Sequence, residues 1–72
     1  MYDYTKLQER ILEKFGSPEA FAERIDRSVA YVYERIGTPQ VALKQTEITA
    51  WCEVLDIAPA EIQEYFFKLR SI

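Results

Sequence analysis

Five short stretches of helical periodicity, separated by brief turn signals, constrain the fold of this chain more than any other feature of its sequence. In the first stretch Asp3 is the predicted N-cap, and Gly16 is predicted to end the helix in a left-handed conformation. The apolar residues between them share one helical face: Leu7, Ile11, Leu12 and Phe15. We therefore predict an amphipathic first helix that buries this face.

The second and third stretches also carry boundary signals. Residues 17–19 supply a capping hydroxyl, a proline at the first helical position and an acid at the positive end of the helix dipole. Asp26 or Ser28 can cap the third helix, and residues 37–39 are predicted to stop it. The predicted buried stripe of the second helix is Phe21, Ala22 and Ile25. The apolar positions of the third helix are Val29, Val32, Tyr33 and Ile36, of which the first and third are predicted to straddle core and surface.

The last two helices follow a loop over residues 40–44, in which Val41 and Leu43 are predicted to touch the core. The fourth helix is predicted to begin near Gln45 and to bury Ile48, Trp51, Cys52 and Leu55. Residues 58–61 open a fifth helix, with Pro59 at its first position and Ile62, Phe66 and Leu69 facing inward. Short helices joined by short loops predict a compact all-α bundle of five helices, in a single domain over residues 1–72.

The composition excludes several classes of protein. A hydrophobic fraction of 49% in 72 residues suffices for one small folded domain. The chain has no histidine and a single cysteine, Cys52, so we expect no metal, no cofactor and no enzymatic activity. An unpaired cysteine is typical of a reducing cytoplasm. No signal peptide and no apolar run long enough to span a membrane are found, and we expect neither a membrane nor a small molecule as partner.

Residues 18–36 hold the arrangement with the most functional specificity. A helix with Phe21, Ala22 and Ile25, a break of about three residues, and a helix with Val32 and Ile36 buried together match the helix-turn-helix layout. The small Ala22 allows a close helix crossing, while Ile25 and Val32 fill the angle between the helices. Because any helical hairpin can share this spacing, the layout alone does not establish the function.

Taken whole, the chain resembles the Cro/CI family of phage regulators, which have the lambda-repressor-like fold. The segments that carry the resemblance are KLQERILEKFGSPEAFAERI, KQTEI and LDIAPAEIQEYFF. Within that group, the chain length and the opening MYDYTKL are similar to the modulator-of-repression proteins. The resemblance implies a short bacterial-cytoplasmic partner of a CI-type repressor, one that relieves repression by binding it.

The chain departs from family members that read DNA. Their second helix usually begins with a glutamine that touches a phosphate, whereas this chain has Pro18, which lacks both a side-chain donor and a backbone N–H. Their turn usually carries glycine, whereas this chain has Asp26, which places a negative charge where phosphates would pass. Base edges are typically read by Arg, Lys, Gln or Asn. The third helix instead offers small apolar groups, Tyr31, Tyr33, an acid and Arg35.

Charge in this region indicates a protein partner. Between residues 17 and 36 four acids oppose three bases, and the whole chain carries a net charge of −3. DNA affinity depends largely on phosphate neutralisation, whereas Tyr and Arg among small apolar residues are typical of protein interfaces. We predict that the partner-binding residues are Pro18, Glu19, Asp26, Arg27, Ser28, Val29, Ala30, Tyr31, Tyr33, Glu34 and Arg35.

Two functions therefore remain open. The chain either binds the DNA-binding domain of a cognate CI-type repressor and blocks operator binding, or is a Cro-like repressor that binds operator DNA as a dimer. Lys44 and Gln45, at the start of the fourth helix, are candidates for contact with the DNA backbone, directly or in a ternary complex. The aromatic residues 65–67 either cover the first helix or form a homodimer contact.

Overall fold

The computed structural model describes residues 1–37 and 42–70. Within them five α-helices occur in the predicted order: α1 (Thr5–Phe15), α2 (Pro18–Arg24), α3 (Val29–Ile36), α4 (Gln45–Leu55) and α5 (Ile62–Phe66). A 3₁₀ turn, Pro59–Glu61, precedes α5. The predicted all-α, five-helix fold is confirmed.

Serine side chains set the starts of α2 and α3. Ser17 Oγ accepts a hydrogen bond from the backbone N–H of Ala20 at 3.2 Å, with Pro18 at the first helical position. Ser28 Oγ accepts from the backbone N–H of Tyr31 at 3.1 Å. Ser28 is therefore the cap of α3, and the other candidate, Asp26, lies in the preceding turn.

The predicted N-cap of α1 is wrong by one residue. Tyr4 occupies the cap position, and its side chain is 3% exposed. Asp3 lies one residue earlier, where Oδ1 accepts from the backbone N–H of Thr5 at 3.0 Å. The backbone N–H of Asp3 donates to the carbonyl of Lys68 at 2.7 Å, so the start of the chain is paired with its far end before the helix begins.

The inward position predicted for Leu69 is also wrong. The fifth helix ends at Phe66, because the chain beyond Phe67 leaves the helix and pairs with the N-terminal segment. An isolated antiparallel bridge joins Tyr2 to Leu69, and the Leu69 side chain is 66% exposed. Leu69 would have faced the core only if the helix had continued for another turn.

Aromatic rings form the centre of the core. Trp51 is 2% exposed and meets Phe21 edge-on, with ring centroids 5.0 Å apart. Phe66 lies on the other side of Trp51, at 6.5 Å. The prediction of Trp51 as a core residue is confirmed. The other fully buried large side chains are Leu7, Ile11, Leu55 and Val32.

The apolar faces predicted from periodicity are mostly buried, and Leu12 is a further exception beside Leu69. Leu12 is 50% exposed, because the bundle covers only the narrow stripe of α1 that contains Leu7 and Ile11. Cys52 is half-buried, and burial raises the pKa of its thiol. In the predicted loop Leu43 is buried as expected, whereas Val41 and the stop signals at residues 38 and 39 lie outside the described residues.

Candidate protein-binding surface

The turn between α2 and α3 brings five of the predicted partner-binding residues to one depression: Glu19, Asp26, Arg27, Ser28 and Val29. Asp26 has φ 58°, the left-handed conformation that the tight turn requires. The backbone N–H of Arg27 returns to the carbonyl of Ala22 at 3.0 Å, and this bond closes the turn. Ala22 and Val32 are buried beneath it, at 2% and 0% exposure, so the turn is seated on the core.

A shallow depression follows this turn, and we call it the acidic groove. Three of its lining side chains are carboxylates, Glu19, Glu23 and Asp26, and all three residues are exposed. Its one cationic lining residue is Arg27. The remaining lining residues are Ala22, Ser28 and Val29. The groove therefore presents an excess of negative charge, with a small apolar and hydroxyl surface between the carboxylates.

A second feature ties α3 to α4 through the carboxylate of Glu47. Tyr31 Oη donates a hydrogen bond to Oε2 of Glu47, and Nη2 of Arg35 donates to Oε1 at 2.8 Å. The backbone N–H of Lys44 donates to the same Oε1 at 2.8 Å. The side chains of Arg35 and Glu47 are only 19% and 13% exposed. We call these residues the Glu47 network.

The Glu47 network changes the acidity of its members. Burial and the hydrogen bond to the Glu47 carboxylate raise the pKa of Tyr31 to about 12. Burial opposes ionisation of Glu47, but the bonds from Tyr31 and from the Lys44 backbone, with the charge of Arg35, outweigh it and lower its pKa. Glu47 is therefore ionised and Tyr31 neutral at neutral pH.

The predicted surface residues differ in how far their side chains are exposed. Tyr31 and Arg35 are half-buried and held toward α4, and the guanidinium of Arg27 lies 5.2 Å from the ring centre of Tyr31. Val29 and Pro18 are half-buried as well. The predicted residues that are exposed are Glu19, Asp26, Arg27, Ser28, Ala30, Tyr33 and Glu34.

An apolar pocket adjoins the acidic groove between α1, the start of α2 and the end of α3. Its volume is about 220 Å³. Tyr33 forms one wall, and its hydroxyl donates to Oε2 of Glu19 at 3.2 Å. Its other lining residues include Gln8, Ile11, Leu12, Pro18 and Ile36.

The start of α4 offers little positive potential. Lys44 and Gln45, the candidates for contact with the DNA backbone, are both exposed. The carboxylate of Glu47, however, lies in the first turn of α4 and accepts the N–H of Lys44, so a protein anion already occupies this helix end.

Across residues 1–37 and 42–70, no cluster of three or more carboxylate or thiol side chains could hold a metal ion. In the same residues, no helix has both the length and the apolarity needed to cross a membrane.

Sequence reasoning missed Glu47 and the pocket wall formed by Leu12. An acid three residues after an N-cap is a known capping signal, but it is recognised with Ser or Thr at the cap, and this cap is Lys44. Leu12 was assigned to the core face because it follows Ile11 within the same apolar run. An exposed leucine four residues after Gln8 carries no signal of a pocket until α2 and α3 are placed beside it.

Comparison with known proteins agrees with the fold. A family model described as a protein of unknown function (DUF739) matches residues 1–69. No curated protein sequence matches the chain. Among solved structures, the chain is similar to the solution structure of the modulator of repression (MOR) of the temperate bacteriophage TP901-1 from Lactococcus lactis. The two are 34% identical with a TM-score of 0.79, and the match covers 96% of this chain and 95% of the other. The chain therefore belongs to the DUF739 family and to the family of the phage modulator of repression.

Proposed function

We propose that this chain acts in a phage genetic switch by binding the DNA-binding domain of a cognate CI-type repressor. In this proposal its α2–α3 unit is a helix-turn-helix whose outer face contacts the repressor and blocks operator binding, which favours lytic growth. The proposed action is binding alone, in the cytoplasm of the bacterial host. The relationship to a phage modulator of repression supports the biological setting.

The acidic groove is the observation that carries the proposal. A helix-turn-helix that binds DNA brings this region against phosphates, and affinity then depends on several cation–phosphate contacts. Here Glu19, Glu23 and Asp26 oppose a single guanidinium, so the groove repels a polyanion. The DNA-binding face of a repressor is basic, and it offers the complementary charge.

The basic residues of the α2–α3 region do not reverse this excess of negative charge. Arg35 is paired with Glu47 at 2.8 Å, and Arg27 lies over the Tyr31 ring. Only Arg24, at the end of α2, adds a further exposed cation to this region. Three bases, one of them neutralised, fall short of the six or more phosphate contacts typical of a tight DNA complex.

The proposed contact surface comprises all the residues predicted from the sequence, with the acidic groove at its centre. Glu19, Asp26 and Arg27 supply charge, while Val29 and Ala30 supply apolar area. The Glu47 network holds Tyr31 and Arg35 in fixed positions before the partner arrives, which reduces the entropy lost on binding.

Calorimetric titration of the purified cognate repressor with this protein tests the proposal. Glu23→Lys reverses one charge in the groove, and Glu53→Lys makes the same change at an exposed position of α4 outside it. We expect tight binding of the wild type, binding weakened about tenfold or more by Glu23→Lys, and little effect of Glu53→Lys. Absence of wild-type binding would refute the proposal, and equal loss in both variants would reduce it to a general charge effect.

A Cro-like DNA-binding role would give a different result. Exposed Lys44 and Gln45 at the start of α4 are the structural feature in its favour. Under that alternative the protein alone binds an operator duplex, with an affinity that falls steeply as salt concentration rises.

A further inference from the structure

Large exposed hydrophobic side chains are concentrated in two places among the described residues. Met1 and Leu69 lie beside the bridge between the chain ends, at 61% and 66% exposure. Leu12 and Tyr33 both line the apolar pocket, at 50% and 49% exposure. Leaving two such side chains in water at the mouth of one pocket costs free energy unless another molecule covers them.

The pocket has the size and lining of an anchor site. Its floor includes Ile11 and Ile36, which are 1% and 9% exposed, and its walls are Leu12, Pro18 and Tyr33. The volume of about 220 Å³ exceeds the roughly 150 Å³ of an apolar cavity that holds a benzene molecule. A leucine, isoleucine or phenylalanine side chain therefore fits within it.

Glu19 connects the pocket to the acidic groove. Its carboxylate accepts the Tyr33 hydroxyl at 3.2 Å on the pocket side, and the same residue lines the groove. The neighbouring Pro18 lines the pocket. A single partner segment can therefore place an apolar side chain in the pocket and a cation beside Glu19.

We infer that the apolar pocket anchors the cognate repressor by taking one large apolar side chain that stands next to a lysine or arginine. This inference rests on the proposed function and extends the interface from α2 and α3 onto Gln8 and Leu12 of α1. A buried apolar anchor encircled by polar contacts is how protein interfaces concentrate their affinity. We expect a lysine or arginine next to the apolar side chain of the repressor because carboxylates lie beside the mouth of the pocket.

A second copy of this chain is the less suitable occupant. A symmetric contact through the pocket would bring the two acidic grooves toward each other, because Glu19 lines the groove and accepts the hydroxyl of Tyr33 in the pocket wall. Six carboxylates would then face two guanidiniums across the contact. Like charges at that separation oppose association, whereas a basic repressor surface is attracted.

The test compares Leu12→Gln with Leu69→Gln in calorimetric titrations against the cognate repressor. Both changes remove an exposed leucine and keep the net charge, and both sites are exposed enough for the fold to persist. We expect Leu12→Gln to weaken binding on the order of tenfold and Leu69→Gln to leave it unchanged. Methyl NMR spectra of the wild type provide an independent readout, in which the Leu12 methyl signals shift on repressor addition and the Leu69 signals do not.

The outcomes separate the pocket from the proposed function. If Leu12→Gln binds like the wild type while Glu23→Lys is weakened, the pocket inference is wrong and the repressor-binding function stands. If the wild type fails to bind the repressor, both are wrong. If Leu12→Gln alters self-association in analytical ultracentrifugation and leaves repressor affinity unchanged, the occupant is a second copy and the inference is overturned.

Discussion

Replacing Glu47 with alanine should strongly destabilise this protein, because its carboxylate is paired and its side chain is only 13% exposed. Three donors converge on this carboxylate: the hydroxyl of Tyr31, the guanidinium of Arg35 and the N–H of Lys44. The variant leaves the guanidinium of Arg35, which is 19% exposed, without its counterion. It also removes the carboxylate from the first turn of α4.

The magnitude follows from the burial of the pair. Breaking a fully buried ion pair by removing one partner costs about 3–5 kcal/mol. Because Arg35 and Glu47 keep some solvent access, we expect a loss of about 2–4 kcal/mol. A 72-residue domain has a total stability of roughly 4–11 kcal/mol, so the variant should lose a large fraction of the free energy of unfolding.

Urea unfolding followed by tryptophan fluorescence measures this loss. Trp51 is the single tryptophan and is 2% exposed, so its emission reports the opening of the core. Arg35→Met and the double variant complete a double-mutant cycle, in which the double variant should lose less than the sum of the single losses. Glu53→Ala, at an exposed position of the same helix, should change stability by less than about 0.5 kcal/mol. A loss below about 1 kcal/mol for Glu47→Ala, or additive losses in the cycle, would refute the network.

Four further predictions concern stability. Because the pKa of Glu47 is lowered below its ordinary 4.5, its stabilising contribution is complete above that value and is lost as pH falls below it. Tyr31 has a raised pKa, so in the unfolded chain its hydroxyl ionises at a lower pH than in the folded protein. Stability should therefore also decline between pH 10 and about 12. Urea unfolding midpoints measured across pH test the acid-side loss and the alkaline decline. Asp26→Gly should stabilise by about 0.5 kcal/mol in thermal unfolding, since glycine accepts the left-handed φ of 58°. Val32→Asp should abolish the folded circular dichroism spectrum, because it places an unpaired charge at a fully buried site.

The alkaline decline and the gain from Asp26→Gly each have a matched control variant. Tyr31→Phe should reduce the alkaline decline without abolishing it, because the pKa values of Tyr4 and Tyr33 are also raised. A decline as steep as that of the wild type would assign it to groups other than Tyr31. Asp56→Gly should gain less than Asp26→Gly despite a φ of 55°, because Asp56 also pairs with Lys14 at 2.5 Å. Equal gains would contradict that reasoning. A folded Val32→Asp variant would contradict the placement of this residue in the core.

The helices were predictable because their signals are local. Ser17 and Ser28 cap the backbone three residues ahead, and Gly16 ends α1 at φ 81°. The inward position predicted for Leu69 is wrong because it depends on where α5 ends. That point is set by backbone pairing with Tyr2 at the other end of the chain, which no local pattern encodes.

The candidate site was predictable in its residue types and less so in its geometry. Composition identified the excess of carboxylates around Glu19 and Asp26, and the groove brings them together. The Glu47 network escaped prediction because Tyr31 lies sixteen residues from Glu47 and Arg35 lies twelve residues from it. Only the packing of α3 against α4 reveals that these two side chains are held inside the protein.

Fluorescence anisotropy of a labelled operator duplex tests most directly whether the α2–α3 face binds a protein rather than DNA. At near-physiological salt, the wild type alone should leave the anisotropy unchanged, and it should lower the anisotropy of a preformed repressor–operator complex. The Glu23→Lys variant should be weaker in that displacement. A rise in anisotropy with the protein alone, at nanomolar concentration and with steep salt dependence, would contradict the account.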